Sequence, residues 1–201
     1  MSSKSDLVLD LSEEKYDTAK FGFWIYLVSD LMIFGALFAT YMILRGGTAG
    51  GPSANDLFSA EYVLLQTMAL LASSFTAAMA LASYKAKDIN KSYQYLVATL
   101  LFGLAFLSLE VFEFSNLVSD GHDWTHSAFL SSFFALVGTH GLHISIGLTW
   151  LVALLWVMRK RRQYSPSLYR KLTLFTLFWH FLDLVWIWIF TVVYLFGVAG
   201  I

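Results

Sequence analysis

Five long apolar runs, at about 21–44, 61–84, 93–118, 127–158 and 171–197, alternate with short polar segments along the chain. Each is at least about 20 residues long, enough for an α-helix rising about 1.5 Å per residue to cross a hydrocarbon core roughly 30 Å thick. The runs are apolar throughout rather than at every second position, which excludes a transmembrane β-barrel. The punctuation between them agrees: RGGTAGGPSAND, KAKDINK, SDGHDWT and RKRRQYSPSLYRK separate successive runs, and both prolines, Pro52 and Pro166, fall outside them. The pattern predicts an all-α membrane protein, a single five-helix transmembrane bundle over 21–201. A mobile, solvated tail is expected over 1–20, because MSSKSDLVLDLSEEKYDTAK lacks the basic-then-apolar order of a secretory signal.

Composition strengthens this reading. The chain is 58% hydrophobic and 13% charged, against roughly 45–50% and 25% for a soluble domain, so its surface needs a solvent other than water. Spans and short connections consume nearly all 201 residues, leaving no room for a soluble catalytic domain. The absence of cysteine excludes disulfides and thiolate-held metals. A net charge of −1 points to no nucleic-acid partner.

Basic residues set the expected orientation. Twelve of the thirteen Lys and Arg fall on the side of the N-terminal tail and the second and fourth loops, and Arg45 alone lies on the other. Short loops rich in Lys and Arg stay in the cytoplasm, so the N-terminus is expected inside and the C-terminus outside. The cluster Arg159, Lys160, Arg161 and Arg162 reads as a topology signal that also touches anionic headgroups. Tyr84, Trp124, Trp156 and Tyr194, near span ends, fit interfacial belts or simple packing.

Few ionisable groups remain at depth: Asp30, Glu110, Glu113, His140, His143, His180 and Asp183. Glu110 with Glu113, His140 with His143, and His180 with Asp183 each stand at i and i+3, so each pair shares a helix face. Buried in hydrocarbon, these groups are expected to be neutral, bonded to one another, or facing a polar cavity. Gly138, Gly141, Ser145 and Gly147 thin the helix that carries HGLH, which predicts close approach of a neighbouring backbone.

Three readings of these residues stay open on physical grounds. A metal centre is one, since carboxylates and imidazoles at i, i+3 loosely resemble di-iron bundles, although here Glu pairs with Glu and His with His. A proton or ion pathway is the second, without the Gly and Pro interruptions of transporter sites. The third is a structural polar network that fixes helix register and touches a lipid headgroup.

The segments FGFWIYLVSDLMIFGALFATY, GTAGGP, LEVFEF, FLSSFFALVGTHGLHISIGL and LFWHFLDLVWIWIFTVVYL together resemble subunit III of haem-copper terminal oxidases, over residues 21 to 197. Five helices and the first-loop motif look like the branch found in bo-type ubiquinol oxidases. The resemblance implies a non-catalytic role in the aerobic respiratory chain, in the bacterial inner membrane, with no metal and no catalytic residue on this chain. Haems, copper and ubiquinol would belong to partner subunits: subunit I, which reduces oxygen and pumps protons, with subunits II and IV. The chain would support assembly and stability of subunit I and bind phospholipid in a V-shaped cleft.

Position by position, Asp30 stands where the cytochrome c oxidase branch has a glutamate, and the shorter acid departs from any role that needs the longer reach. Glu110 and Glu113, His140 and His143, and His180 with Asp183 match family elements that are structural and lipid-cleft residues. The implied arrangement is a polar clasp between the third, fourth and fifth helices, in which Glu110, Glu113, Asp183 or a headgroup repays the two histidines of HGLH. Other readings are subunit III of a cytochrome c oxidase or nitric oxide reductase complex, an independent membrane metalloenzyme, and a small proton-coupled transporter.

Overall fold

The computed structural model describes the backbone of residues 2–51, 60–161 and 163–199, and the side chains of 16–51, 61–161 and 163–197. Pro52 and Arg162, both used in the sequence reading, lie outside the described residues.

Helix α1 (Ser2–Leu44) begins well before the first apolar run. No proline or glycine precedes Gly22, so nothing halts the helix through the polar turns that the sequence reads as a tail. α2 (Ala60–Lys85) and α3 (Ile89–Ser119) are joined by a tight turn with Lys87 at φ 65°. Asp88 caps α3, its carboxylate accepting the Lys91 amide at 3.1 Å. That bond holds the exposed carboxyl below its ordinary titration range. α4 (Ala128–Arg161) ends in Arg159, Lys160 and Arg161, cations placed at the negative pole of the helix.

α5 (Pro166–Ile189) starts with proline in its first turn, where the missing amide hydrogen costs nothing. It runs on through a π-helical turn (Phe190–Leu195) into the short α6 (Phe196–Ala199). Five helices are long and apolar enough to cross a membrane, over Tyr16–Leu44, Glu61–Lys85, Ile89–Ser119, Ala128–Arg161 and Pro166–Leu195. They run further than the apolar runs because flanking polar turns such as Asn90–Ser92 and Ser167–Arg170 are helical too.

α2, α3, α4 and α5 form a ring in which α2 lies on α3, α3 on α4, α4 on α5 and α5 back on α2, while α1 leans on α4 and α5 from outside. In lipid no hydrophobic force drives this association, so close packing and interhelical hydrogen bonds carry it. The α2–α3 seam shows both: Ala77 and Ala80 are fully buried, the Ser92 hydroxyl donates to the Ala80 carbonyl at 2.8 Å, and Thr76 and Thr99 bond at 2.9 Å.

At the centre of the ring sits Trp179 of α5. Its indole nitrogen donates to the Ser73 hydroxyl on α2 at 2.9 Å, and its ring lies against Gly103 of α3 and Gly147 of α4. One residue of α5 thereby touches the other three helices of the ring. Two turns further along, Trp186 donates to Thr67 at 3.0 Å and packs edge-on to Phe106 at 4.6 Å.

The aromatic residues near the span ends divide. Trp124 and Trp156 are exposed, Lys160 lying over the Trp156 ring at 3.8 Å, as an interfacial belt requires. Tyr84 and Tyr194 are buried instead. The Tyr84 hydroxyl accepts from the Ser165 amide at 3.0 Å, pinning the connection between α4 and α5.

Candidate functional site

The intramembrane polar residues occupy three places rather than one. None of the three i, i+3 pairs bonds internally.

The first place joins α1 to α4. His143 is fixed through Nδ1, which donates to the Thr139 carbonyl at 2.8 Å, and its Nε2 lies 3.5 Å from the carboxylate of Asp30. That distance suits charge pairing and is long for a hydrogen bond. Asp30 is 5% exposed, and Phe34, one turn along α1, packs on the His143 ring at 5.3 Å. The expected clasp among the third, fourth and fifth helices is thus, for His143, a clasp with the first. Its direction follows from helix geometry: positions 140 and 143 differ by about 300° around the axis, so the two rings emerge on either side of one seam.

The second place lies between α2, α3 and α5, toward the end of the bundle where α3 finishes. Gln66 donates to Glu113 at 3.0 Å, the Tyr62 hydroxyl donates to the Leu109 carbonyl at 2.8 Å, and Tyr194 brings its hydroxyl toward Glu113. The π-helical turn shifts the register of α5 just where Tyr194 enters this group. Glu110, one turn deeper, is sealed at 2% exposure with neither carboxyl oxygen hydrogen-bonded among the described residues. His140, fully buried, also has two unbonded ring nitrogens and is boxed by Trp186 at 5.2 Å, Phe106 at 5.9 Å and Phe34 at 6.4 Å. Glu110, Glu113 and Asp183 therefore do not repay the histidines within this chain.

The third place is on α5. Asp183 turns toward Ser74 of α2, whereas His180, anchored by Nδ1 to the Thr176 carbonyl at 2.8 Å, faces outward.

The small residues of α4 have a different use from the expected one. A side chain on Gly141 would meet the Glu110 carboxyl at 2.8 Å, and one on Gly147 would meet Trp179 at 2.7 Å. Neighbouring side chains, not a neighbouring backbone, fill these gaps. Gly138 has nothing closer than Phe114 at 3.7 Å, and Ser145 bonds back to the Gly141 carbonyl at 2.8 Å. Gly103, which faces Leu148 at 2.8 Å and Trp179 at 3.0 Å, is as tight as either and is missed by the sequence reading. Gln66 and the two indole donors, Trp179 and Trp186, are missed as well. Their signal was present, since an amide or indole N–H inside an apolar run needs a partner.

Among the described residues no group of three or more His, Asp or Glu side chains is arranged to hold a metal ion. What the geometry provides is interhelical fastening, together with two orphaned buried groups and one outward-facing imidazole.

The profile of the family described as cytochrome c oxidase subunit III matches residues 11–198. Cytochrome bo(3) ubiquinol oxidase subunit 3 of Pseudomonas putida is 45% identical over 179 residues, covering 88% of this chain and 85% of the relative. Cytochrome c oxidase subunit 3 of Bacillus sp. strain PS3 is also 45% identical, over 89% of this chain and 86% of its own length. Quinol oxidase subunit 3 of Bacillus subtilis is 41% identical, over 90% and 88%.

Proposed function

The chain belongs to the cytochrome c oxidase subunit III family of the haem-copper oxidases, and from that premise we propose that it serves as subunit III of a proton-pumping quinol oxidase of the bo type. The observation that carries the reading is a family match running through all five spanning helices, with relatives named as ubiquinol oxidase subunits at matched length.

In this role the chain is a multi-pass membrane protein of the bacterial inner membrane, with its N-terminus and the Arg159–Arg162 cluster in the cytoplasm. The charge asymmetry of the loops supports that orientation. Quinol oxidation, oxygen reduction and proton pumping belong to partner subunits, which hold the haems, the copper and the quinol. This chain contributes no catalytic group and stabilises the catalytic subunit I, beside subunits II and IV. In support, the described ionisable side chains at depth either fasten helices together or stand apart.

A bound phospholipid is part of the same proposal. Lys160 and Arg161, in the last turn of α4, suit the headgroup of an anionic lipid.

Affinity purification of the tagged chain in mild detergent, followed by an optical spectrum and mass analysis, tests the reading. Haem and copper arriving with a large many-helix partner, and quinol oxidation by the assembly, are expected. A chain that purifies alone and carries its own metal would overturn it. An assembly that oxidises reduced cytochrome c and not quinol would move it to the cytochrome c oxidase branch.

A further inference from the structure

His180 stands at the middle of the span Pro166–Leu195, so its ring lies about 20 Å along the helix from either end. It is nevertheless exposed on the outside of the bundle. An imidazole reaches only a few ångströms and cannot snorkel to a headgroup from that depth, unlike the long stem of Lys or Arg.

The chemistry of the exposed atom is defined. Nδ1 faces the Thr176 carbonyl at 2.8 Å, and a carbonyl only accepts, so Nδ1 carries the hydrogen. In the neutral ring Nε2 is then a lone-pair acceptor. Among the described residues nothing donates to it: Asp183, one turn along the same helix, is turned toward Ser74 and interacts with His180 through its charge, and a carboxylate has no hydrogen to give. Acyl chains offer no donor at this depth, and lipid-exposed polar groups at mid-span are not left unpaired.

The surroundings have the form of a helix-packing face. Leu184, Ile187 and Trp188 follow His180 at i+4, i+7 and i+8 and are 50%, 44% and 59% exposed. That spacing makes a stripe along one side of α5, of the kind that seats the knobs of a facing helix. Beside it, Trp24 and Val28 of α1, each 48% exposed, border a groove of about 260 Å³ that reaches His180 and Leu184.

We propose that the α5 stripe from His180 to Trp188 docks a transmembrane helix of a partner subunit, which donates a hydrogen bond to His180 Nε2 from a hydroxyl, amide or indole side chain. This rests on the subunit reading above and names the face through which the chain meets a partner. It requires a donor at mid-membrane depth on the partner, so a lipid does not satisfy it.

The test uses the whole complex in native membranes. A photoreactive benzoylphenylalanine replaces Leu184, with a second variant carrying it at Val152 on α4, also 52% exposed. After irradiation, a covalent adduct between Leu184 and a polypeptide of the complex is expected. Loss of the hydrogen bond in His180→Leu should weaken retention of that partner in detergent by roughly three- to twentyfold, with His180→Gln, which keeps an acceptor, falling less. Adducts at Leu184 with lipid or quinone only, while haem subunits still co-purify, would overturn the docking face and leave the subunit reading standing. Failure of any haem subunit to co-purify with the unsubstituted chain would overturn the subunit reading itself. Polypeptide adducts from Val152 and none from Leu184 would place the interface on α4 and also defeat the proposal.

Discussion

Trp179 occupies the space that a side chain at residue 147 would need: a Cβ built on Gly147 would stand 2.7 Å from the indole ring. The ring cannot swing aside freely, because its nitrogen is bonded to Ser73 at 2.9 Å and its other side is walled by Gly103. Two glycines on two helices thus make room for one tryptophan from a third.

Gly147→Ala should therefore destabilise the assembled protein by about 1–3 kcal/mol through overpacking. Gly138→Ala, where the nearest atom is 3.7 Å away, should be neutral or gain up to about 1 kcal/mol from helix propensity. Thermal unfolding of the two variants in the same detergent compares them. Equal melting temperatures would mean that Trp179 is not held as described.

Glu110 is the residue whose presence stability does not explain. A buried carboxyl with no bonded partner costs about 1–3 kcal/mol, so Glu110→Met is expected to leave the protein as stable or more so. The same exchange should relieve Gly141→Ala, since the added methyl meets the carboxyl oxygen at 2.8 Å. A double-mutant cycle on 110 and 141 should return a coupling of about 0.5–3 kcal/mol. A marked loss of stability in Glu110→Met would reveal a partner that the chain alone does not supply.

Asp30 and His143 hold α1, which leans on the bundle from outside, to α4. Removing one member leaves the other buried without its counterpart, at 14% side-chain exposure for His143 and 7% for Asp30. Asp30→Ala and His143→Leu should each loosen α1, and the double substitution should loosen it by less than the sum of the two. Proteolysis between α1 and α2 in detergent, timed for the three variants, reads this directly. Strictly additive rates would show that the 3.5 Å contact carries no energy.

The cap of α3 gives a pH dependence of known sign. Asp88 titrates below its ordinary value because it accepts the Lys91 amide. A lowered value means stability that is fully present above the usual carboxylate pKa of about 4 and lost as pH falls through the folded value. Protection of the Lys91 amide, taken relative to its intrinsic exchange rate, should fall at pH below about 4 and be low at every pH in Asp88→Ala. Unchanged protection at Lys91 in that variant would remove the cap from the account.

The number of spans, their continuity and the loops between them follow from the sequence alone. They depend only on how many consecutive apolar residues stand between polar breaks, a local property that hydrocarbon thickness converts directly into helices. Membership of the family was legible for a related reason, since FWIYLVSD, HGLH and WHFLD are contiguous strings. The list of ionisable residues at depth was equally plain. Which of them meet was not: the i, i+3 spacing fixes the face from which His140 and Glu110 emerge, but not the helix that face turns toward.

Only the tertiary structure decided that His143 looks to Asp30 of α1, that Glu113 is held by Gln66, and that the glycines of α4 admit a carboxyl and an indole. The reason is physical. Without water there is no hydrophobic bias to tell one apolar face from another, so helix rotation and neighbour choice are set by shape and by scattered hydrogen bonds. Those depend on residues a hundred positions apart, as Ser73 and Trp179 are, and no local pattern encodes them.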